Sequence, residues 1–568
     1  MKILSIAFQG NHDANITYFD GKKSHYLNLE RIKGVKKYWP GRQDLPKISE
    51  DLLGMNIPLR LDAIVTNFNN AVDLTKNSDI ELGEEWYYPE GEYIREITEE
   101  QYFCFFQSLA YRAEKYYRCE HHYAHYMNAE WLYNNTQKGI VIDGCGDEGI
   151  HLSVFKDRYR IKALTILDTP SIGGMYYQTA ADMLENHNEP IPNNSWRDLS
   201  GNFMGLISYG NFNEKYANYL RQFDFEDFLV QAHNPASYFP QSGLTMSERF
   251  MTHGNAISDD RRSSSAVAKY PMSVVHEMPS KIIYQWELDY FKTVQVILAE
   301  KIIQFIKRYF KPDEEFIYTG GVAHNVVINA ELSKAFPKMK IPPSIGDEGL
   351  SLGTMYTLLE KLNIQDKGDC PITNWQQEYI PLMSDNTVVA SAEALVQGKI
   401  VCVCQGESHI GPRALGNRSI LYLPNREYAA HYFNDRGIKN REWWRPYGVI
   451  ILEEELQNYL QTTTLSPWML HVAEPTDLGK KAMSGVIHTD NTVRYQTVKD
   501  GPYAKLLKKL RAMGQPPIVI NTSLNEHGKP IAHTVGDVKS FVELNWVDAV
   551  VIGEDISFNL QQLYDDKA

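Results

Sequence analysis

Residues 139–149 read GIVIDGCGDEG, and residues 316–332 read FIYTGGVAHNVVINAEL. Each is a short apolar, β-rich run that closes on a glycine turn. The first ends in Asp143; the second leads from GG into helix-forming sequence. A third unit opens the chain: KILSIAF (2–8), the polar turn QGNHDAN (9–15) and a second run ITYFDG (16–21), after which DGKK turns into HYLNLERI. Glycine is needed where backbone N–H groups approach a phosphate with no Cβ in the way. Repeated strand–glycine-turn units in one chain fit an α/β core that holds a nucleotide between two lobes. GG after a strand is also ordinary turn chemistry.

The 568 residues exceed what one simple core uses, so two or more lobes are expected. Between residues 364 and 387 the chain reads IQDKGDCPITNWQQEYIPLMSDNT, which is polar, contains proline and has no clear period. The boundary belongs there, giving a first domain over 1–375 and a second over 386–568. The second part is rich in strands (KIVCVC, SILYLP, GVIIL, PIVIN, DAVVIG) with helical stretches such as YAKLLKKLRAMG. It is expected to be α/β as well.

A hydrophobic fraction of 43% and a charged fraction of 23% are ordinary for a soluble enzyme. The net charge of -14 argues against a protein whose main business is coating nucleic acid. A local basic groove stays compatible with it. Six cysteines with no CxxC pair make a disulfide framework a poor reading. Cys402 and Cys404 alternate along one strand and should face one buried side. The opening residues read as a strand rather than a signal peptide, and no run reaches the ~18 apolar residues of a membrane helix. A cytoplasmic protein is expected.

The segment CEHHYAHYMNAEW (119–131) places His121 and His125 four residues apart, on one face of a helix, which is a common way to grip one side of a metal. Histidines at helical spacing also arise by chance, and His122 points elsewhere. Asp143, ending a strand, and Asp347, in IPPSIGDEG (341–349), supply carboxylates in glycine-flanked loops. Two imidazoles with two carboxylates suit Fe²⁺, Mn²⁺ or Zn²⁺ better than Mg²⁺. The bland role for each Asp is a helix N-cap.

The segments HDAN (12–15), LERIKGVKK (29–37), HHYAH, IDGCGDE, MGLISYG (204–210), GGVAHNVVIN and IPPSIGDEG occur in one order. GPRALGNRSI (411–420), IKNREWWRP (438–446), HTDNTVRYQTV (488–498) and NTSLNEHGKPI (521–531) follow them. In this order they resemble the antibiotic and nodulation-factor O-carbamoyltransferases, the tobramycin and cephamycin type, along essentially the whole chain. The first domain is similar to an actin/Hsp70/sugar-kinase-like metal- and ATP-binding fold, also used to make threonylcarbamoyl-adenosine in tRNA. The second is similar to the YrdC-like domain.

The resemblance implies that the second domain makes carbamoyl adenylate from carbamoyl phosphate and ATP. The first then transfers the carbamoyl group to an acceptor hydroxyl, with a divalent metal, Fe²⁺ first and Mn²⁺ or Mg²⁺ after it, on His121, His125, Asp143 and Asp347. His12 is the implied general base, oriented by Asp13. Gly144, Gly320, Gly321 and Asn325 are implied to line the nucleotide. In the second domain the implied anion site is Arg413, Arg418, Lys439, Arg441, Arg445 and Arg494, with Asn521, Ser523 and Asn525 as short polar partners. Guanidinium forks suit phosphate.

The chain departs from the pattern at HDAN (HDAS is more usual), Asn202 (Lys), Ile410 (Trp), RPYGVIIL and the turn of HTDNTVRYQTV. Charged positions are kept while acceptor-side positions vary, which leaves the acceptor open. The acidic, Tyr-rich stretch from Val72 to Phe106 reads as an acceptor-pocket wall or a plain packed lid. The expected acceptor is a small molecule such as an antibiotic or sugar. A hydroxymethylated nucleobase, a tRNA threonylcarbamoyl role and a non-catalytic ATP-binding role stand as rivals. Homologous folds associate as dimers, but this sequence displays no interface.

Overall fold

A computed structural model describes residues 1–8, 12–67, 91–134, 136–176, 199–233, 274–278, 281–426, 429, 433, 438–439, 444–545 and 547–558. Arg441 and the 72–90 part of the Tyr-rich stretch lie outside the described residues; its remainder forms the strand Ile94–Ile97 and the helix Glu99–Phe106.

The three strand–glycine units of the sequence become the organising strands of two sheets in the first lobe. In one sheet, Ile3–Ala7 pairs antiparallel with Asn15–Phe19, which pairs antiparallel with Ser24–Asn28. On its other side Ile3–Ala7 runs parallel to Arg60–Asn67, and that strand runs parallel to Arg112–Cys119. The second sheet repeats the plan. Lys138–Ile142, Ile150–Lys156 and Tyr159–Thr165 form the antiparallel meander. Phe316–Thr319 and then Met339–Lys340 add in parallel on the far side of Lys138–Ile142. Both sheets therefore have a meander of three strands followed by two parallel crossovers, with one extra antiparallel edge strand, Ile94–Ile97, on the first. Parallel pairs need long crossovers, which the intervening helices supply. The doubled strand order is that expected of an actin-like first domain, and the fold is mixed α/β.

Two helices, His121–Tyr133 and Leu350–Lys361, lie between the sheets. Their apolar residues share one core with Ile3 and Ala7 of the first sheet and Val141 and Ile317 of the second. They cross closely: a Cβ on Gly353 would stand 1.7 Å from the Ala124 carbonyl oxygen, so only glycine fits. The first of these helices is buried on nearly every side, and it carries both candidate metal histidines.

The second lobe is one eight-stranded mixed sheet in the order His471–Ala473, Val493–Val498, Gly448–Leu452, Ile518–Ser523, Arg418–Tyr422, Val401–Cys404, Ala549–Ile552 and Asp555–Ser557. Cys402 and Cys404 face one core while Val401 and Val403 face the other, as alternation requires. Helices Asp385–Val396 and Gly501–Ala512 pack over the second of these faces.

The lobes are locked by buried polar contacts. The Arg31 guanidinium donates to the carbonyls of His409 and Gly411. Asn374 accepts from the Asn28 N–H and donates to Ser408 and His409 carbonyls. Ile410, Trp444 and Leu470 of the second lobe sit inside cores of the first. No helix among the described residues is long and apolar enough to cross a membrane.

Candidate active site

The site assembles at the ends of strands and the starts of the two sandwiched helices. Strand Arg112–Cys119 stops at Glu120, whose carboxylate accepts the Tyr123 N–H and caps the helix that begins with His121. Strand Lys138–Ile142 delivers Asp143 at its carboxyl end. Asp347 opens a short 3₁₀ turn, Asp347–Gly349, ahead of helix Leu350–Lys361.

All four expected ligands meet: one ligand atom from each of His121, His125, Asp143 and Asp347 lies within 4.8 Å of the others. His121 Nε2 is 3.0 Å from Asp143 Oδ2 and 3.1 Å from His125 Nε2. His125 Nε2 is 3.4 Å from Asp347 Oδ1. This donor set fits a divalent cation. Two ring nitrogens and two carboxylate oxygens turned toward one buried point repel through their lone pairs unless a proton or a cation stands between them. Burial alone would push the His121 imidazole down, but the bond to Asp143 and the charges of Asp347 and Asp143 raise it to about 9. Asp143 is held well below the carboxylate range by the same histidines, against its burial.

Several residues hold the ligands. The Gly321 N–H donates to Asp143 Oδ1 at 2.7 Å. Gly320 has φ +95° with the Ile142 carbonyl 2.4 Å from where a Cβ would stand. Asn15 donates to the carbonyls of Asp13 and Asp347 and accepts the Ser351 N–H, pinning the Asp347 turn to the first loop. The departure from HDAS therefore has a structural job here. Asp147, inconspicuous in the sequence, accepts from Arg118 at 2.8 Å and from the His121 N–H at 2.9 Å, all three buried. His122 is fully buried beside Gly146, whose Cβ would meet its ring at 2.6 Å; it is not in the ligand cluster.

His12 stands at the edge of this cluster. Its Nδ1 is 2.9 Å from Asp13 Oδ2, and its Nε2 is 3.8 Å from Asp347 Oδ2. Burial lowers the His12 imidazole, and Asp13 and Asp347 overcome this to raise it. Asp13 also binds Lys37 Nζ at 2.6 Å, a residue of LERIKGVKK that sequence reasoning did not single out. Lys37 and His12 hold the Asp13 carboxyl far below its ordinary range despite burial. Glu30 accepts the Lys37 N–H. Glu348, buried and facing Asp13, is pushed up to about 7. Glu30 and Lys37 of LERIKGVKK signal such a charge cluster only once the Glu348 loop is brought near, and that loop is over three hundred residues away.

Two other expected positions also make contacts within the protein. Asn325 Oδ1 caps helix Val326–Ala335 by accepting from Val327 and Ile328, and its Nδ2 donates to Gln295. Gly144 has open space where a Cβ would stand, and its carbonyl accepts from Ser171 Oγ.

In the second lobe, Arg418 departs from its expected role as a phosphate ligand. It is 2% exposed, and its guanidinium donates to the backbone carbonyls of Gln405, Gly406, Asn417 and His533 and to Gln376 Oε1. Its donors are spent on holding protein loops together. Lys439 meets Ser523 and Asn525: Nζ donates to Asn525 Oδ1 at 3.0 Å, to its carbonyl and to the Ser523 carbonyl. Asn521 and Arg494 lie on opposite sides of Gly448 at one level of the sheet, and Asn521 donates to the Ala414 carbonyl and to Gln496. Arg413 reaches the seam, where its charge, after burial, helps depress His324 of the first lobe to about 3. Arg445 is half-buried beside Trp444.

Residues 392–557 match the family model of the carbamoyltransferase C-terminus. The nodulation protein NolO of Bradyrhizobium diazoefficiens is 28% identical over 260 residues, 41% of this chain and 47% of that one. The 3'-hydroxymethylcephem-O-carbamoyltransferase of Amycolatopsis lactamdurans is 26% identical over 289 residues, 46% of this chain and 53% of that one. The chain spans about half the length of the curated relatives it matches. Among solved structures, component A of the Acidaminococcus fermentans (R)-2-hydroxyglutaryl-CoA dehydratase aligns with 64% of this chain and 99% of its own, at 11% identity and a TM-score of 0.32. The fold assignment rests on the strand order described above.

Proposed function

We propose that this chain, a homologue of the O-carbamoyltransferases, transfers a carbamoyl group to the hydroxyl of a small-molecule acceptor, using carbamoyl phosphate and ATP. The observation that carries the reading is the buried convergence of His121, His125, Asp143 and Asp347 beside the His12–Asp13 pair, in a chain that also carries a carbamoyltransferase C-terminal domain.

The second lobe is the place for carbamoyl adenylate formation. Arg494 supplies positive charge there, and the short side chains of Ser523 and Asn525 are held in place by Lys439 Nζ. In the first lobe, Asp13 holds His12 through Nδ1 and leaves Nε2 facing the cluster. The acceptor oxygen attacks the carbamoyl carbon, its proton passes to His12 Nε2, and AMP leaves with the electrons of the broken carbon–oxygen bond. Two imidazoles and two carboxylates favour Fe²⁺ or Mn²⁺ as the resident ion. When bound there, such a cation supplies Lewis acidity toward a carbonyl or phosphoryl oxygen. Burial of the ligands keeps bulk water from the reacting acyl group. Use of ATP and carbamoyl phosphate, both intracellular metabolites, places the reaction in the cytoplasm.

The test is transfer of ¹⁴C from carbamoyl phosphate into alcohol acceptors, aminoglycosides and hydroxymethyl-bearing metabolites first, with and without ATP. ATP-dependent label in a carbamate ester that is lost in His125→Ala supports the reading. Transfer that is indifferent to ATP, or unchanged in the variant, contradicts it.

A further inference from the structure

A cleft lies on the seam between the lobes and shares no residue with the His121–His125–Asp143–Asp347 cluster. Its volume is about 900 Å³, within the range of small-molecule sites. One wall comes from the first lobe: the end of helix Val326–Ala335, the strand Met339–Lys340, and Tyr133 at the end of the metal-binding helix. The other comes from the run 460–471 of the second lobe, which carries three consecutive threonines, 462–464, and Trp468.

Three features of the lining point to one ligand chemistry. First, it has two lysines, Lys334 and Lys340, and no carboxylate among the described residues that line it, in a chain of net charge -14. The lysines pair with Glu331 and Glu315, each at 2.7 Å, from outside the lining. Such surface pairs are worth roughly 0–1 kcal/mol, so an anion exchanges with them at little cost. Second, Trp468 and Tyr133 form a fixed aromatic corner: the indole N–H donates to Tyr133 OH, which donates to the Ile341 carbonyl, and Lys340 Nζ stands 5.3 Å from the Tyr133 ring centre. Third, Thr463 and Thr464 line the wall opposite the lysines, while the Thr462 hydroxyl accepts the Thr464 N–H and shapes the run. Cations, an aromatic platform and threonine side chains together match a phosphate, a ring and ring hydroxyls.

We propose that this cleft binds a sugar phosphate, free or as the phosphorylated half of a nucleoside monophosphate. A ligand seated there touches both lobes at once, beside Ser333, which is 2.9 Å from His471 Nε2 across the same seam.

Calorimetric titration of the full chain with glucose 6-phosphate and with uridine 5′-monophosphate tests this, with glucose and inorganic phosphate as partial ligands. The proposal expects saturable binding of at least one of the two phosphates. Glucose and inorganic phosphate should each bind at least about tenfold more weakly, and the Lys334→Glu/Lys340→Glu double variant should weaken binding by about tenfold or more. Both lysines are at the surface, so the variant keeps the fold; a circular-dichroism melt checks that. Binding unchanged in His125→Ala separates the cleft from the metal cluster, and the phosphate that binds identifies the source. Absence of binding by both phosphates, or binding indifferent to the double variant, overturns the proposal.

Discussion

Gly321 donates its backbone N–H to Asp143 Oδ1 at 2.7 Å. Two strand–glycine turns, separated by 178 residues in the chain, thus meet at the carboxylate of one candidate metal ligand. The neighbouring Gly320 turns with φ +95° against the Ile142 carbonyl. Gly320→Ala forces the strand ends apart and takes the Gly321 N–H away from Asp143. The expected outcome is a loss of stability of about 2 kcal/mol or more and a drop in bound metal per chain, read by denaturant titration and elemental analysis.

Asn15 ties the first loop to the Asp347 turn through two donated bonds and one accepted from Ser351. Asn15→Ala strips all three and leaves buried backbone groups without partners. Metal affinity should fall about 10- to 100-fold, as for other residues that orient ligands, while the melting temperature drops by a few degrees. Equilibrium dialysis with Mn²⁺ measures the first. Unchanged affinity would show that the Asp347 turn holds itself.

Arg418 acts as a loop clamp, so its substitution should read out as stability. Arg418→Lys cannot reach four backbone carbonyls with one ammonium, and each orphaned buried group costs about 1–3 kcal/mol. Urea unfolding of the second lobe is expected at a clearly lower midpoint. A variant of native stability with selectively weaker carbamoyl phosphate binding would restore the ligand role expected from the sequence.

His409, His471 and His533 are each depressed to about 4, by burial first and, for His409 and His533, by Arg31 and Arg418 as well. Between pH 4 and 6.5 the unfolded chain binds protons that the folded chain refuses. Stability is therefore lost as pH falls through that window and is complete above it. Each residue contributes at most about 2 kcal/mol to the difference between pH 7 and pH 5. Urea midpoints at the two values in the wild type and in His471→Gln check the sign: the variant should show the smaller difference.

Much of this was legible in the sequence. The glycine turns after 139–142 and 316–319 gave away the sheet ends, and the i, i+4 spacing of His121 and His125 placed both on one helix face. What periodicity could not supply was the partner of each polar group. Asp147 and Lys37 sit in unremarkable charged sequence, and their roles depend on Arg118 and Asp13, which the fold alone brings near. Arg418 misled for the same reason. An arginine in a glycine-rich motif resembles a phosphate ligand, and only the loops around it show where its donors go. The capping role of Asn325 follows from a general rule, since Asn before a helix is a favoured cap.

Adenylate formation is read out by pyrophosphate release from ATP, with and without carbamoyl phosphate, in the presence of Fe²⁺ or Mn²⁺ and no acceptor. Pyrophosphate and AMP are expected to depend on carbamoyl phosphate and to fall sharply in Arg494→Ala. Pyrophosphate that forms equally without carbamoyl phosphate, or none at all with both substrates and metal present, would contradict it.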